Sequence, residues 1–378
     1  MNTATQEKPV YLSGESDIFI GKRSRLRRYL VCSMGGYFPI LVKTGPKSLA
    51  VLFRTGGTHV SINASLSVST SGDGGKSWSE PVRIAPGWED YRNPAMGINS
   101  KGELVLAFWK AGPVIYENNE ITGPIHIPGR MPADINDKDI PLTFINTIKC
   151  NDLTLIETGN YSSGFLLTTV PYGRIITGTD GMLYMSAYGP LRNDVQSGRN
   201  STVLLRSKDD GKTWGDETVI AHGFNETAIA FMNDVTMVAA ARSDNGDVQI
   251  LRSIDNGRTW SDPVQVTRKG EHPADLTVLA SGRLLLTFGR RIRPMGCGAL
   301  LSDDGGKSWN KAGEVLLAGD GFFNIDLGYP STVQLDNGDI ITVLYYANGS
   351  DMHEAGSFTG WGYLNCQAIH YTEEDIML

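Results

Sequence analysis

The chain's apolar residues fall in short runs that pair across turns, and the pairing repeats along its length. Residues 37–42 lead to Leu49-Ala-Val-Leu-Phe53, 93–96 to Leu104-Val-Leu-Ala-Phe108, and 175–177 to Leu183-Tyr-Met-Ser-Ala187. Residues 226–231 then lead to Val235-Thr-Met-Val-Ala239, 273–278 to Leu284-Leu-Leu-Thr-Phe288, and 329–333 to Ile340-Ile-Thr-Val-Leu344. These runs are short, strongly apolar and mostly bounded by Gly-centred turns, which predicts paired strands and little helix. Six copies, most at a spacing of about fifty residues, fit propeller blades of four strands each. The expectation is an all-β, six-bladed β-propeller forming a single domain over residues 1–378.

One interval is too long. Its excess lies at about residues 111–160, rich in Pro, Asn and Asp, and is read as an insertion in the second blade that leans over one face of the disc. The last strand-like run, Leu364 to Tyr371, is expected to pair with N-terminal sequence around Tyr29-Leu-Val-Cys32, closing the ring and removing free sheet edges.

A polar motif punctuates the strands. Ser71-Gly-Asp73-Gly-Gly75-Lys-Ser77-Trp78 returns as 207–214, 253–260 and 302–309, always Ser-x-Asp-x-Gly-x-Ser/Thr-Trp. Each copy follows a strand-like run, so the motif predicts a hairpin connection. The Asp accepts backbone N–H bonds, the Gly takes a positive φ, and the Trp fills an apolar seam between neighbouring units.

Charge removes several classes of partner. Lys+Arg 34 against Asp+Glu 41 gives a net charge of −7, without the footprint of a nucleic-acid or anionic-membrane binder. The local exception, the basic residues between Lys22 and Arg28, reads as a solvated face. No apolar run is long enough to span a bilayer, and Met1 to Pro9 has no signal-peptide core, so a cytoplasmic location is expected. The four cysteines lack metal or redox spacing and the histidines lack ligand spacing, so neither metal nor cofactor is expected.

In a propeller the first strand of every blade starts at the central channel, so the residues opening the copies converge. They are Tyr37, Arg92 with Asn93, Tyr172, Glu226, His272 and Tyr329, a polar and ionisable ring.

Together with the four boxes, this ring resembles the sialidases and their wider Asp-box relatives, over nearly the whole chain. Asn225-Glu226-Thr227, followed one hairpin later by Ala241-Arg242-Ser243, is similar to the segment where sialidases carry a catalytic Glu and a carboxylate-binding Arg. Gly328-Tyr329-Pro330-Ser331 is similar to the segment carrying their tyrosine nucleophile, and Arg291 falls where the family places another carboxylate-binding Arg. The resemblance implies retaining attack by Tyr329 with Glu226 taking its proton. It also implies an acidic sugar such as sialic acid, whose carboxylate the guanidiniums hold and would repel an Asp or Glu nucleophile.

Two family features are absent. The first-blade motif Phe/Tyr-Arg-Ile-Pro is replaced by Gly36-Tyr37-Phe38-Pro39, which leaves Arg54 and Arg92 as candidates for the missing clamp. The first-blade loop, Arg54-Thr-Gly-Gly-Thr-His59, has no carboxylate for the family's acid/base Asp, which leaves His59 as candidate. His272, at a channel-facing position in Glu271-His272-Pro273, is expected to be a further ligand contact. The leading reading is a sialidase-type glycoside hydrolase acting on a glycan or small acidic sugar. A polysaccharide lyase acting on a uronate and a glycan-binding propeller without turnover remain open.

Overall fold

The structure, a computed structural model, describes residues 14–20, 24–33, 35–56, 59, 64–85, 90–110, 116–117, 120–121, 143–194, 197–233, 235–321, 325–348 and 363–377. It is an all-β, propeller-like arrangement of antiparallel sheets. The innermost strands are Gly35–Lys43, Tyr91–Ile98, Val170–Thr177, Phe224–Phe231, Glu271–Val278 and Leu327–Gln334. Each contacts the next, and the last contacts the first, so they surround a common axis. Tyr91–Ile98 and Val170–Thr177 also pair directly, in parallel, through Gly173 with Ala95 and Arg174 with Met96.

The second strands show why the sheets stand face to face. Leu49, Ala50, Val51, Leu52 and Phe53 are all fully buried, as are Leu104 to Phe108. A run apolar on both pleat faces needs cover on both, and each sheet obtains it from its two neighbours. The core is therefore a set of wedges between adjacent sheets. One wedge joins Leu52 and Val68 to Met96 and Leu106; another joins Val105 and Ala107 to Leu183 and Val203.

The ring closes as expected. Tyr363–Tyr371 lies between Ile340–Asn348 and Ser24–Ser33, with Leu30 opposite Gln367 and Cys32 opposite Cys366. Arg28 is buried in this closure and donates to Gln367 at 3.3 Å, so this part of the basic cluster is sheet interior, not solvated face.

The boxes are tight hairpin connections between third and fourth strands. In the first, Ser71 Oγ donates to Asp73 Oδ1 at 2.8 Å and accepts Gly75 N at 2.9 Å. Asp73 also receives the backbone N–H groups of Lys76 and Ser77, both at 3.0 Å, and Gly75 has φ +87°. Trp78 donates Nε1 to Gly75 O and packs on the wedge containing Leu49 and Ile341.

The expected insertion at 111–160 narrows. Thr143–Ile148 pairs with Leu104–Lys110 and with Leu155–Tyr161, so the end of that stretch forms the outer strands of its sheet. Sequence composition hid them because Leu155–Tyr161 is an exposed edge strand with no apolar face to reveal it. Of the remainder, 111–115, 118–119 and 122–142 lie outside the described residues, as do His353 and Trp361.

One irregularity recurs where function is expected. Every inner strand slips register near its start: between Tyr37 and Ile40, Arg92 and Ala95, Tyr172 and Ile176, Phe224 and Thr227, Glu271 and Ala274, and Gly328 and Ser331. Bulges re-aim side chains. Phe38, Asn93 and Tyr329 occupy positive φ (55°, 44° and 50°) there, a conformation costly for bulky side chains and held only by surrounding structure.

Candidate functional site

The bulged starts of the inner strands carry Tyr329, Glu226 and His272, and Arg242, near the end of Met237–Ser243, and Arg291, just past Leu284–Arg290, join them in one cluster. Tyr329 and Glu226 are both about 95 % buried, and the Tyr329 hydroxyl donates to Glu226 Oε1. Arg242, one hairpin after Glu226, donates Nη1 to its other carboxylate oxygen at 2.6 Å. Asn93 donates Nδ2 to Tyr188 Oη at 3.1 Å and reaches Glu226 Oε1 at 3.5 Å. The Arg291 guanidinium lies over the Tyr329 ring, 5.8 Å from its centroid, and its Nε is buried without a hydrogen-bond partner among the described residues.

These contacts set the charge states. Burial and then the Glu226 charge raise the Tyr329 phenol above its ordinary value, against the opposing pull of Arg242 and Arg291. Tyr329 is therefore neutral at rest. Burial works against the charge of Arg242, but the Glu226 carboxylate outweighs it and holds the guanidinium protonated. His272 is pulled down to about 2 by burial and by Arg242 and Arg291, which makes it a neutral imidazole beside two cations. Its Nδ1 is buried without a partner among the described residues.

A second layer holds a different arrangement. His59 Nδ1 lies 2.9 Å from Asp326 Oδ1, and Tyr345 Oη donates to the same oxygen at 2.5 Å. Burial opposes the Asp326 charge, but His59, Tyr345 and Arg291 together hold the carboxyl below its usual range. Phe38 links the layers, with ring centroids 4.9 Å from His59 and 4.8 Å from Tyr329.

Arg54 and Arg92, the expected replacements for the missing clamp, are turned toward a carboxylate of the chain itself. Arg92 makes a two-point contact to Asp90, with Nε to Oδ1 at 2.7 Å and Nη2 to Oδ2. Arg54 Nη2 lies 3.1 Å from Asp90 Oδ1, and its Nη1 donates to the His59 carbonyl at 2.5 Å. Arg54 is fully buried, and burial pulls its pKa down to about 10. The two arginines expected as a substrate clamp thus share one carboxylate, Asp90, inside the chain.

Among the neighbouring arginines, Arg290 is buried on Glu271 while Arg291 faces Tyr329. Arg174 joins two inner strands through Asp275 at 3.2 Å. A cavity of about 630 Å³ opens at the far ends of the inner strands, lined by Lys43, Ile98, Arg174, Thr277, Gln334 and Asp336. None of the cluster residues lines it. The titratable groups converge instead at Tyr329. Among the described residues, no cluster of three or more metal-ligating side chains occurs and no helix is long and apolar enough to cross a membrane.

With this geometry in place, the comparisons decide the family. The BNR repeat-like domain matches residues 151–342, just over half of the chain. The chain belongs to the BNR repeat-like family. No curated protein matches it. Among solved structures, this BNR-repeat chain is similar to a Dyadobacter fermentans protein of unknown function, with TM-score 0.67, 20% identity, and coverage of 91% of this chain and 97% of that one. It is similar to a Hadza microbial sialidase, with TM-score 0.68, 18% identity and coverage of 93% and 69%. A Trypanosoma rangeli sialidase in complex with sialic acid gives TM-score 0.60, 13% identity and coverage of 95% and 57%. The BNR-repeat chain thus spans little more than half of that sialidase, and at these identities the likeness is one of fold: a sialidase-like BNR-repeat protein.

Asp326 and Asp90 were missed in the sequence. Asp326 lies three residues before Tyr329, a spacing that carries no signal, and its partner His59 is 267 positions away.

Proposed function

We propose that the protein is a sialidase-type glycoside hydrolase, built as a six-bladed propeller in one domain, that releases a terminal acidic sugar with retention. The closure of the inner strands upon one another supports the blade count. The reading rests on one observation: a buried tyrosine hydroxyl donating to a buried carboxylate that an arginine holds from its other side. A phenol is a weak nucleophile until a base takes its proton, and Glu226 is in contact to do so. Arg242 holds Glu226 from its other side, and the Nε of Arg291, without a partner among the described residues, offers a donor to the substrate carboxylate over the attacking ring. As the tyrosyl bond to the anomeric carbon forms and the glycosidic C–O bond breaks, the phenolic proton moves to Glu226; attack of water then breaks the tyrosyl bond and returns that proton to Tyr329.

The test is a screen of fluorogenic sialosides, uronides and neutral glycosides, with products weighed by mass spectrometry, on the wild type and Tyr329→Phe. Release of an acidic sugar that Tyr329→Phe abolishes supports the reading; cleavage unchanged in Tyr329→Phe overturns it.

A second reading, lyase action on a uronate, draws on His272. Its Nδ1 has no partner among the described residues, and the Arg242 and Arg291 beside it are placed to neutralise a uronate carboxylate; that carboxylate must in turn offset the two cations, which depress the basicity of the imidazole, before His272 takes a proton. A product absorbing in the ultraviolet through a new double bond separates lyase from hydrolase.

A further inference from the structure

The proposed reaction needs a group that protonates the departing glycosidic oxygen and later deprotonates water, and neither Tyr329 nor Glu226 is available for this. We propose that His59 is that group and that Asp326 and Arg54 are its positioning residues, an assignment that rests on the glycosidase reading above. Three observations carry it. The His59 ring is 25% exposed whereas its partner Asp326 is 3% exposed, so the imidazole stands at the mouth while the carboxylate behind it is sealed from water. The residue is pinned twice: its ring by Asp326 at 2.9 Å and its carbonyl by the fully buried Arg54 at 2.5 Å. Its ring lies one aromatic side chain, Phe38, away from that of Tyr329.

A carboxylate on Nδ1 fixes the ring's orientation and directs the transferable proton to Nε2. Tyr345, which donates to the same Asp326 oxygen, fixes the carboxylate in turn. The Arg54–Asp90 contact also gains a purpose: this guanidinium sets the backbone from which the imidazole projects.

The proton balance closes. In the first step the Tyr329 oxygen bonds to the anomeric carbon, its proton passes to Glu226, the glycosidic C–O bond breaks, and the departing oxygen takes the Nε2 proton of His59. In the second step water attacks the anomeric carbon and gives a proton to His59 Nε2. The tyrosyl C–O bond breaks, and Tyr329 recovers its proton from Glu226.

Leaving-group dependence tests this directly, since a 4-nitrophenolate departs without a proton and a sugar alkoxide does not. Using the acidic sugar cleaved in the screen, kcat/KM is compared for its 4-nitrophenyl glycoside and its disaccharide. His59→Gln is expected to lose about 100-fold or more on the disaccharide and less than about tenfold on the nitrophenyl glycoside. Asp326→Asn should show the same split, with a displaced limb in the pH–rate profile, which a purely structural role would not produce. Should Asp326→Asn fail to fold, His59→Gln, at a partly exposed position, carries the test alone. Equal losses on both substrates, or none on either, in folded His59→Gln overturn the assignment while leaving the glycosidase reading standing. A wild type that cleaves neither overturns both.

Discussion

The Tyr329 hydroxyl donates to Glu226 across 103 positions of sequence, and this contact joins two inner strands at the mouth of the ring. Glu226 is held from its other side by Arg242, so the proton has a fixed acceptor and the acceptor a fixed counterion. Tyr329→Phe is expected to lower kcat/KM by at least about 100-fold. Glu226 keeps its Arg242 contact in this variant, so the fold should lose about 1.5–3 kcal/mol, the worth of one hydrogen bond to a charged group, and still form. Turnover and a thermal unfolding curve on the same sample check both halves; loss of folding together with activity would leave the contact structural.

Arg291 lies over the Tyr329 ring with an Nε unsatisfied among the described residues, an arrangement suited to an incoming anion. A lysine keeps the charge but loses the planar fork. Arg291→Lys should raise KM for an acidic sugar about tenfold or more, the worth of one charge-assisted hydrogen bond, with a smaller change in kcat. Steady-state kinetics decide it. An unchanged KM would show that Arg291 does not touch the carboxylate.

The strands and hairpins were legible because their signals are local: an apolar run, a Gly turn, and a box whose Asp bonds groups within four residues. Glu226 and Tyr329 were legible because the repeat fixes where each inner strand begins. What the repeat does not fix is which charges pair once the ring has closed. Arg54 meets Asp90, and His59 meets Asp326, only through contacts between different sheets. The bulges at the strand starts were equally silent, since Phe38, Asn93 and Tyr329 adopt positive φ without the glycine that normally marks it.

Asp90 lies between two arginines, one of them fully buried. Removing one partner of a buried pair leaves an uncompensated charge, so Asp90→Ala is expected to destabilise the fold by about 3–5 kcal/mol. Adding Arg54→Met should recover part of that loss, because the more deeply buried of the two stranded charges is then gone. Urea unfolding midpoints of the single and double variants measure the coupling; strictly additive losses would mean that the pair does not interact.

The boxes make stability sensitive to acid. Burial opposes ionisation of Asp73, but hydrogen bonds from Ser77, Ser71 and Lys76 outweigh it and lower its pKa from 3.8 to about 2; Asp304 is lowered likewise. A carboxyl depressed in the folded state contributes stability that is present above its unfolded pKa and is lost as pH falls through its folded one. The contribution of these boxes should therefore be intact above pH 4 and disappear as pH falls from about 4 to about 2. Asp73→Asn removes one such carboxyl, so its thermal midpoint should lie below that of the wild type at neutral pH and fall less steeply on acidification. Midpoints measured across that range in both proteins decide the matter, and parallel curves would show that the box carboxylate adds nothing to the acid sensitivity of the fold.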